Sequence, residues 1–152
     1  MVIVQADNFD ACQLSQQLRE RTKGQAGAMV TFLGYVRDYD ENSATKSLFL
    51  EHYPGMCESE ILAICQTATK RWDVADYLVV HRYGELAYTD QIVFVGVTSR
   101  HRTEAFRACE YIIDALKTRA PFWKRETLKD GQQFWVEQRQ SDVDKTANWE
   151  AN

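Results

Sequence analysis

Hydrophobic positions along this chain switch between a strand period and a helix period several times. Val2–Ala6 reads as a short strand. Asp10 is placed to cap a helix running to about Arg21, with Leu14, Leu18 and Cys12 partly on one face. Gly24 and Gly27 punctuate a loop, and Ala28–Val36 (AMVTFLGYV) is apolar enough for a buried strand. Arg37–Lys46 follows neither period, and residues 37–46 are predicted to form a mobile loop. Ser47–Tyr53 is the next strand, ended by Pro54-Gly55. Glu58–Trp72 then carries Ile61, Leu62, Cys65, Ala68 and Trp72 at helical spacing. Tyr77–Arg82 and Gln91–Thr98 are strands separated by a turn region around Gly84 and Asp90. Thr103–Leu116 is the clearest helix, with Phe106, Cys109, Ile112, Ile113 and Leu116 as its apolar face. Phe122–Leu128 and Gln132–Arg139 form a hairpin pattern around Lys129-Asp130-Gly131, since Asp-Gly is a strong turn signal. From Ser141 the chain is a polar tail apart from Trp149.

Adjacent strand runs with short links predict antiparallel pairing, so the class is α+β rather than doubly wound. The length of 152 residues predicts one domain over 1–152. Such a domain buries roughly 68–70% of its unfolded surface, which needs no disulfide or metal staple.

Composition narrows the function. Hydrophobic residues make up 45% and charged residues 26%, ordinary for a globular protein. The N-terminus lacks a signal-peptide pattern, and no apolar run approaches the ~20 residues that span a bilayer. No membrane partner is expected, and the expected location is cytoplasmic. A net charge of −4 argues against broad nucleic-acid binding. Cys12, Cys57, Cys65 and Cys109 form no CxxC pair and have no histidine at zinc spacing, so no metal is expected. Cys12, Cys65 and Cys109 read as packing residues, while Cys57 follows a turn and is expected to be more exposed. There is no GxGxxG or Walker-type loop, and no cofactor is predicted.

Against this acidic background, two cationic clusters stand out. KTRAPFWKRE places Lys117, Arg119, Lys124 and Arg125 around Pro121, where the clearest helix should give way to a stiff turn and an extended segment. Taken alone, the run reads more readily as a solvated basic turn than as an anion site, since charge runs are mostly surface. Arg100, His101 and Arg102 open that same helix, with Ser99 or Thr103 as N-cap. Helix N-termini prefer acidic residues, so each cation there costs ~0.3–1 kcal/mol unless an anion is bound. Lys117 is a candidate for a depressed pKa, because neighbouring cations and aromatics both disfavour the ammonium. His52 and His81 read as hydrogen-bonded structural residues.

Several words of the sequence closely resemble the large, catalytic subunit of molybdopterin synthase. They are Val30–Arg37 (VTFLGYVR), Leu50–Met56 (LEHYPGM), His81–Leu86 (HRYGEL), Ile92–Arg102 (IVFVGVTSRHR) and Leu116–Glu126 (LKTRAPFWKRE). They occur in consistent order from about residue 28 to 142. The resemblance implies an α/β-hammerhead type of fold with an additional antiparallel sheet or hairpin region. It implies a central homodimer flanked by two copies of a small ubiquitin-like subunit, making a heterotetramer. The small subunit's C-terminal Gly-Gly thiocarboxylate gives sulfur to cyclic pyranopterin monophosphate, and two transfers make the dithiolene of molybdopterin. By resemblance, Lys117 is the principal active-site lysine and Lys124 the second. Arg37, His101 and Arg102 match substrate-pocket residues, Phe32 lines the pocket or tail channel, and Arg139 matches an arginine offered across the dimer. Tyr35 and Ile113 depart from residues that relatives carry, lysine and methionine respectively. A non-catalytic adaptor that binds a ubiquitin-like tail is the alternative reading. A persulfide carrier at Cys57 and an RNA binder are more distant rivals.

Overall fold

The strand Gln91–Ser99 is buried over residues 93–99, as its unbroken apolar run requires of a strand covered on both faces. The structure, a computed structural model, describes residues 1–37 and 45–150, leaving aside the side chain of residue 150. Most of the loop expected at 37–46 therefore lies outside the described residues. The element order is β1 (Val2–Gln5), α1 (Ala11–Arg21), β2 (Ala28–Tyr35), β3 (Thr45–Glu51), α2 (Met56–Arg71), β4 (Val74–Arg82) and β5 (Gly84–Ala87). There follow β6 (Gln91–Ser99), α3 (Arg102–Arg119), β7 (Trp123–Leu128), β8 (Gln133–Val136) and α4 (Gln140–Glu150).

Two four-stranded sheets result, ordered β1-β4-β6-β2 and β5-β3-β7-β8. The second is antiparallel throughout, and the first is antiparallel except where β1 joins β4 in parallel. This is the α+β architecture with an additional antiparallel sheet that the sequence predicts. Period-2 alternation along β4 and β6 divides the first sheet's faces. Val79, Val93, Val95 and Val97 pack with Ile61, Ile64, Ile112 and Ala115 of α2 and α3. Leu78, Val80 and Phe94 pack with Leu14 and Leu18 of α1. Val36, Leu48, Leu50 and Leu86 form a small core under the second sheet. In the β7–β8 turn Gly131 has φ 88°, a conformation glycine adopts without steric cost.

Several expectations need correction. The α3 helix runs to Arg119 rather than Leu116. Pro121 pushes only Ala120 into extended backbone, at φ −70° and ψ 127°. Lys117 and Arg119 are thus on the last helical turn, where cations suit the helix dipole, and only Lys124 and Arg125 are on the strand beyond. His101, not Ser99 or Thr103, is the N-cap of α3, and Ser99 Oγ accepts its N–H at 3.3 Å. Phe106 is 61% exposed rather than part of the apolar face, and Cys12 is exposed. Cys57 is fully buried, because the turn before it leads directly into the buried side of α2. Gly84–Ala87, expected as a turn, pairs with β3 as a strand. Much of the tail expected from Ser141 is helical: α4 spans Gln140–Glu150, and its stability comes from docking on α3 rather than from an apolar stripe of its own.

Candidate active site

α3 packs on β6 and β2 and runs back antiparallel to β6, so it carries Lys117 to the end of the first sheet where β6 begins and β2 ends. The β7 strand delivers Lys124 to the same region. Its residue register places Lys124 between Leu50 of β3 and Val136 of β8, on the inward face that Leu48, Leu50 and Leu86 also line. Burial pushes the Lys124 amine below its ordinary pKa, and the nearby Lys117 and Arg139 cations push further, while Asp142 opposes them. The fold concentrates desolvation and like charge at Lys124, because a strand facing a core is drier than a helix end. Lys117 itself is 44% exposed and forms an ion pair at 3.6 Å with Asp142.

Asp142 and Arg139 reach this place because α4 is tied to α3. Trp149 Nε1–H donates to Asp114 Oδ2 at 2.9 Å, Thr146 Oγ1–H donates to the Asp114 carbonyl at 3.1 Å, and Gln138 Nε2–H donates to the Thr118 carbonyl at 2.9 Å. Trp149 also meets Trp72 and Tyr111 edge-on at 5.6 and 5.8 Å.

Behind Lys124 stands an aromatic column. Phe122 stacks on His81 at 3.9 Å and 10°, and His52 lies between Phe122 and Tyr83 at 6.2 and 4.5 Å. His81 Nδ1–H donates to the Arg82 carbonyl at 2.8 Å. Burial drives the His81 pKa down to about 4, with Lys124 and His52 adding to the effect, so its ring is neutral at pH 7. His52 Nε2 is 3.1 Å from Glu58 Oε1, while Glu58 Oε2 accepts the Gly55 N–H at 2.7 Å. Leu50–Met56 thus ends β3, caps α2 and positions one plate of the column. Cys57 Sγ–H donates to the Pro121 carbonyl at 3.6 Å, and burial raises its thiol pKa, which is the opposite of an activated thiolate.

Among the seven residues named from sequence, the structure brings Lys117 and Arg139 within electrostatic reach of Lys124. Arg139 acts on the Lys124 of its own chain. Phe32 is on the α3 side of β2. A Cβ on Gly34 would come 2.8 Å from Val93 Cγ1 and 3.4 Å from Phe32 Cε1, so the missing side chain makes room for Val93 of the paired strand, and the Phe32 ring leans toward the same end of β2. Exposed Arg37 follows β2 at that same end of the sheet. His101 and Arg102 are exposed at the opposite end of α3, and Arg102 is about 22 Å along the axis from Lys117. One chain does not bring them to the lysines. Sequence reasoning missed Asp142 and the stacked partners of Phe122. Asp142 sits in a stretch with no apolar period, and two histidines far apart in sequence gave no sign of sharing one ring.

A family model described as "MoaE protein" matches residues 4–119. The chain belongs to the MoaE family. A Vibrio cholerae member named molybdopterin synthase catalytic subunit is 46% identical over 149 residues, 98% of this chain and 97% of its own. A solved MoaE protein from Burkholderia ambifaria has a TM-score of 0.83 and 41% identity, covering 100% of this chain and 99% of its own. A crystal structure of molybdopterin synthase from Staphylococcus aureus has a TM-score of 0.80 and 30% identity, covering 89% and 96%. The matched MoaE segment stops at Arg119, but the Vibrio relative aligns through the region that carries Lys124, Arg139 and α4. No helix among the described residues is long and apolar enough to cross a membrane.

Proposed function

We propose that this chain is the catalytic subunit of a molybdopterin synthase. It accepts the C-terminal Gly-Gly thiocarboxylate of a small ubiquitin-like subunit and moves its sulfur to cyclic pyranopterin monophosphate. Two such transfers make the dithiolene of molybdopterin; in each, sulfur bonds to a carbon of the substrate and water then cleaves the acyl–sulfur bond, leaving the small subunit as a carboxylate. The observation that carries this reading is the lysine pair, one amine on a helix end and one on a buried strand face, with Arg139 beside them in a protein of net charge −4. Both reactants are anions, and a cationic cleft holds them together against their mutual repulsion. Lys117, half exposed, meets the thiocarboxylate end and stabilises the charge that develops as sulfur attacks. Lys124, whose pKa burial pushes below its ordinary value, binds the pterin substrate and exchanges a proton with it.

Phe32 and Arg37 line the approach from β2. His101 and Arg102 join a site only if a second copy presents the start of its α3, which supports a central homodimer with a small subunit at each end. Full activity from a chain that stays monomeric would remove the dimer from this reading. Residues 1–152 act as one synthase-subunit domain, and the reaction belongs in the cytoplasm. The deeply buried Cys57 supports sulfur arriving on the partner rather than on this chain.

The test is single-turnover formation of molybdopterin from cyclic pyranopterin monophosphate and thiocarboxylated small subunit, with wild type and Lys117→Ala side by side and partner binding checked for both. The expected result is product from wild type and at least about a hundredfold loss in the still-binding variant, the scale of removing one charge-stabilising group. Partner binding without any product from the wild type would leave the adaptor reading in its place.

A further inference from the structure

Helix α4 delivers a carboxylate into a cluster of cations. Asp142 Oδ1 stands 3.6 Å from Lys117 Nζ, and its side chain is only 21% exposed. The charged and titratable groups that face Lys124 are Lys117 from α3, Arg139 just before α4, Asp142 in the first turn of α4, and His81 from β4. Among these described groups, Asp142 is the one anion. A fixed negative charge in a cleft for two anionic reactants works against binding them. The chain nevertheless secures it: the bonds from Trp149, Thr146 and Gln138 to α3 hold α4, and Arg71 Nη1–H donates to the Trp149 carbonyl at 2.7 Å. An isolated helix of 11 residues is marginal in water, so these ties decide where Asp142 stands.

We propose that Asp142 is a positioning residue of the lysine pair, orienting the Lys117 ammonium and offsetting the like charge around Lys124 until the anionic tail of the partner takes its place. The kinetic consequences rest on the sulfur-transfer reading, while the electrostatic ones do not. Two ammonium groups brought together without a counter-ion repel, and the drier one releases its proton more readily. Asp142 restrains that release. It also competes with the incoming thiocarboxylate for Lys117, so its removal strengthens ground-state binding while it disorders the group that acts on the transition state.

The test uses Asp142→Asn, which keeps size and removes charge, with Asp142→Glu as the rescue. Lysine side chains labelled at Cε are titrated by NMR, with Lys124 assigned through Lys124→Arg. In Asp142→Asn the Lys124 midpoint falls by about half a pH unit or more, roughly a threefold gain in acidity. In single-turnover and steady-state assays the variant shows a lower KM for the thiocarboxylated small subunit and a lower kcat. The limb of the pH profile governed by Lys124 moves to lower pH, and Asp142→Glu restores all three. A purely structural Asp142 would change stability and leave the Lys124 titration where it was. An unmoved Lys124 midpoint in folded Asp142→Asn overturns the proposal, whatever the activity. A moved midpoint in a protein whose wild type makes no molybdopterin upholds the electrostatic role and sinks the sulfur-transfer reading instead.

Discussion

Acid should destabilise this protein through one identifiable group, His81. Its ring is buried against Phe122, and its pKa lies at about 4 in the fold against about 6.5 in the unfolded chain. The unfolded chain therefore binds a proton that the fold refuses. The stability from keeping His81 neutral is complete above about pH 6.5 and is lost as pH falls toward 4. Integrating that difference gives a loss of about 2 kcal/mol by pH 5 and about 3 kcal/mol by pH 4, a large share of a typical domain's stability. The carboxylates add their own acid dependence, so the wild-type curve alone does not isolate the effect.

A second protein that lacks only the titrating ring does isolate it. His81→Asn keeps an N–H for the Arg82 carbonyl and loses the stack on Phe122, a pH-independent cost of roughly 0.5–1.5 kcal/mol. Urea unfolding of both proteins, followed by tryptophan fluorescence from pH 7.5 to 4.5, gives the difference in unfolding free energy at each pH. Wild type should be the more stable at neutral pH, and the difference should move by about 2 kcal/mol by pH 5, enough to make His81→Asn the more stable protein there. Contributions common to both proteins cancel in this difference. A constant gap across the range would refute the argument, since it would mean that His81 takes up its proton as readily inside the fold as outside.

Two further outcomes follow from the same region. Trp149→Ala removes the edge contacts with Trp72 and Tyr111 and leaves the Asp114 carboxylate without its indole partner. It should weaken α4 docking by roughly 2–4 kcal/mol. Hydrogen exchange of the amides of 140–150 is the readout, and unchanged protection would contradict the picture of α4 as a docked helix. Cys57→Ser keeps a donor near the Pro121 carbonyl and removes only a thiol that burial holds protonated. Sulfur transfer should stay within about threefold of wild type, and loss beyond about a hundredfold in a folded variant would bring the persulfide reading back.

What could be read from the sequence was what local pattern determines. The β6 run, the apolar positions of α2 and the Asp-Gly hairpin each follow from a period or a turn residue, and each stands within a few residues of its expected place. The helix α4 was illegible because its hold on the fold is one tryptophan, a few hydrogen bonds and Arg71, with no stripe of its own. The same holds for the site. Lys117 stands out through an unusual cluster of cations and aromatics, and Lys124 joins it as an active-site residue through the family resemblance. Which of them would be dry could not be found that way. That depends on Lys124 sharing a strand face with Leu50 and Val136, and register is a property of pairing, not of the segment. Cys57 shows the same limit in reverse. The turn before it suggested exposure, and the rotation of α2 placed it inside.

The two ends of α3 explain why one chain looks incomplete. The helix opens with His101 as its cap and Arg102 in its first turn, and Glu104 is the acidic residue that the dipole would favour there. It closes with Lys117 and Arg119, where cations are favoured by the same dipole. The second cluster therefore costs the fold little, whereas the first carries a penalty with no compensating ion pair on His101 or Arg102 among the described residues. A separation of about 22 Å rules out a shared small ligand within one chain, because a rigid helix cannot bring its own ends together. On the proposed reading, the penalty at the start of α3 is offset when a neighbouring copy turns that end toward an anion held at Lys117 and Lys124. Each helix then serves one site with its last turn and the other with its first.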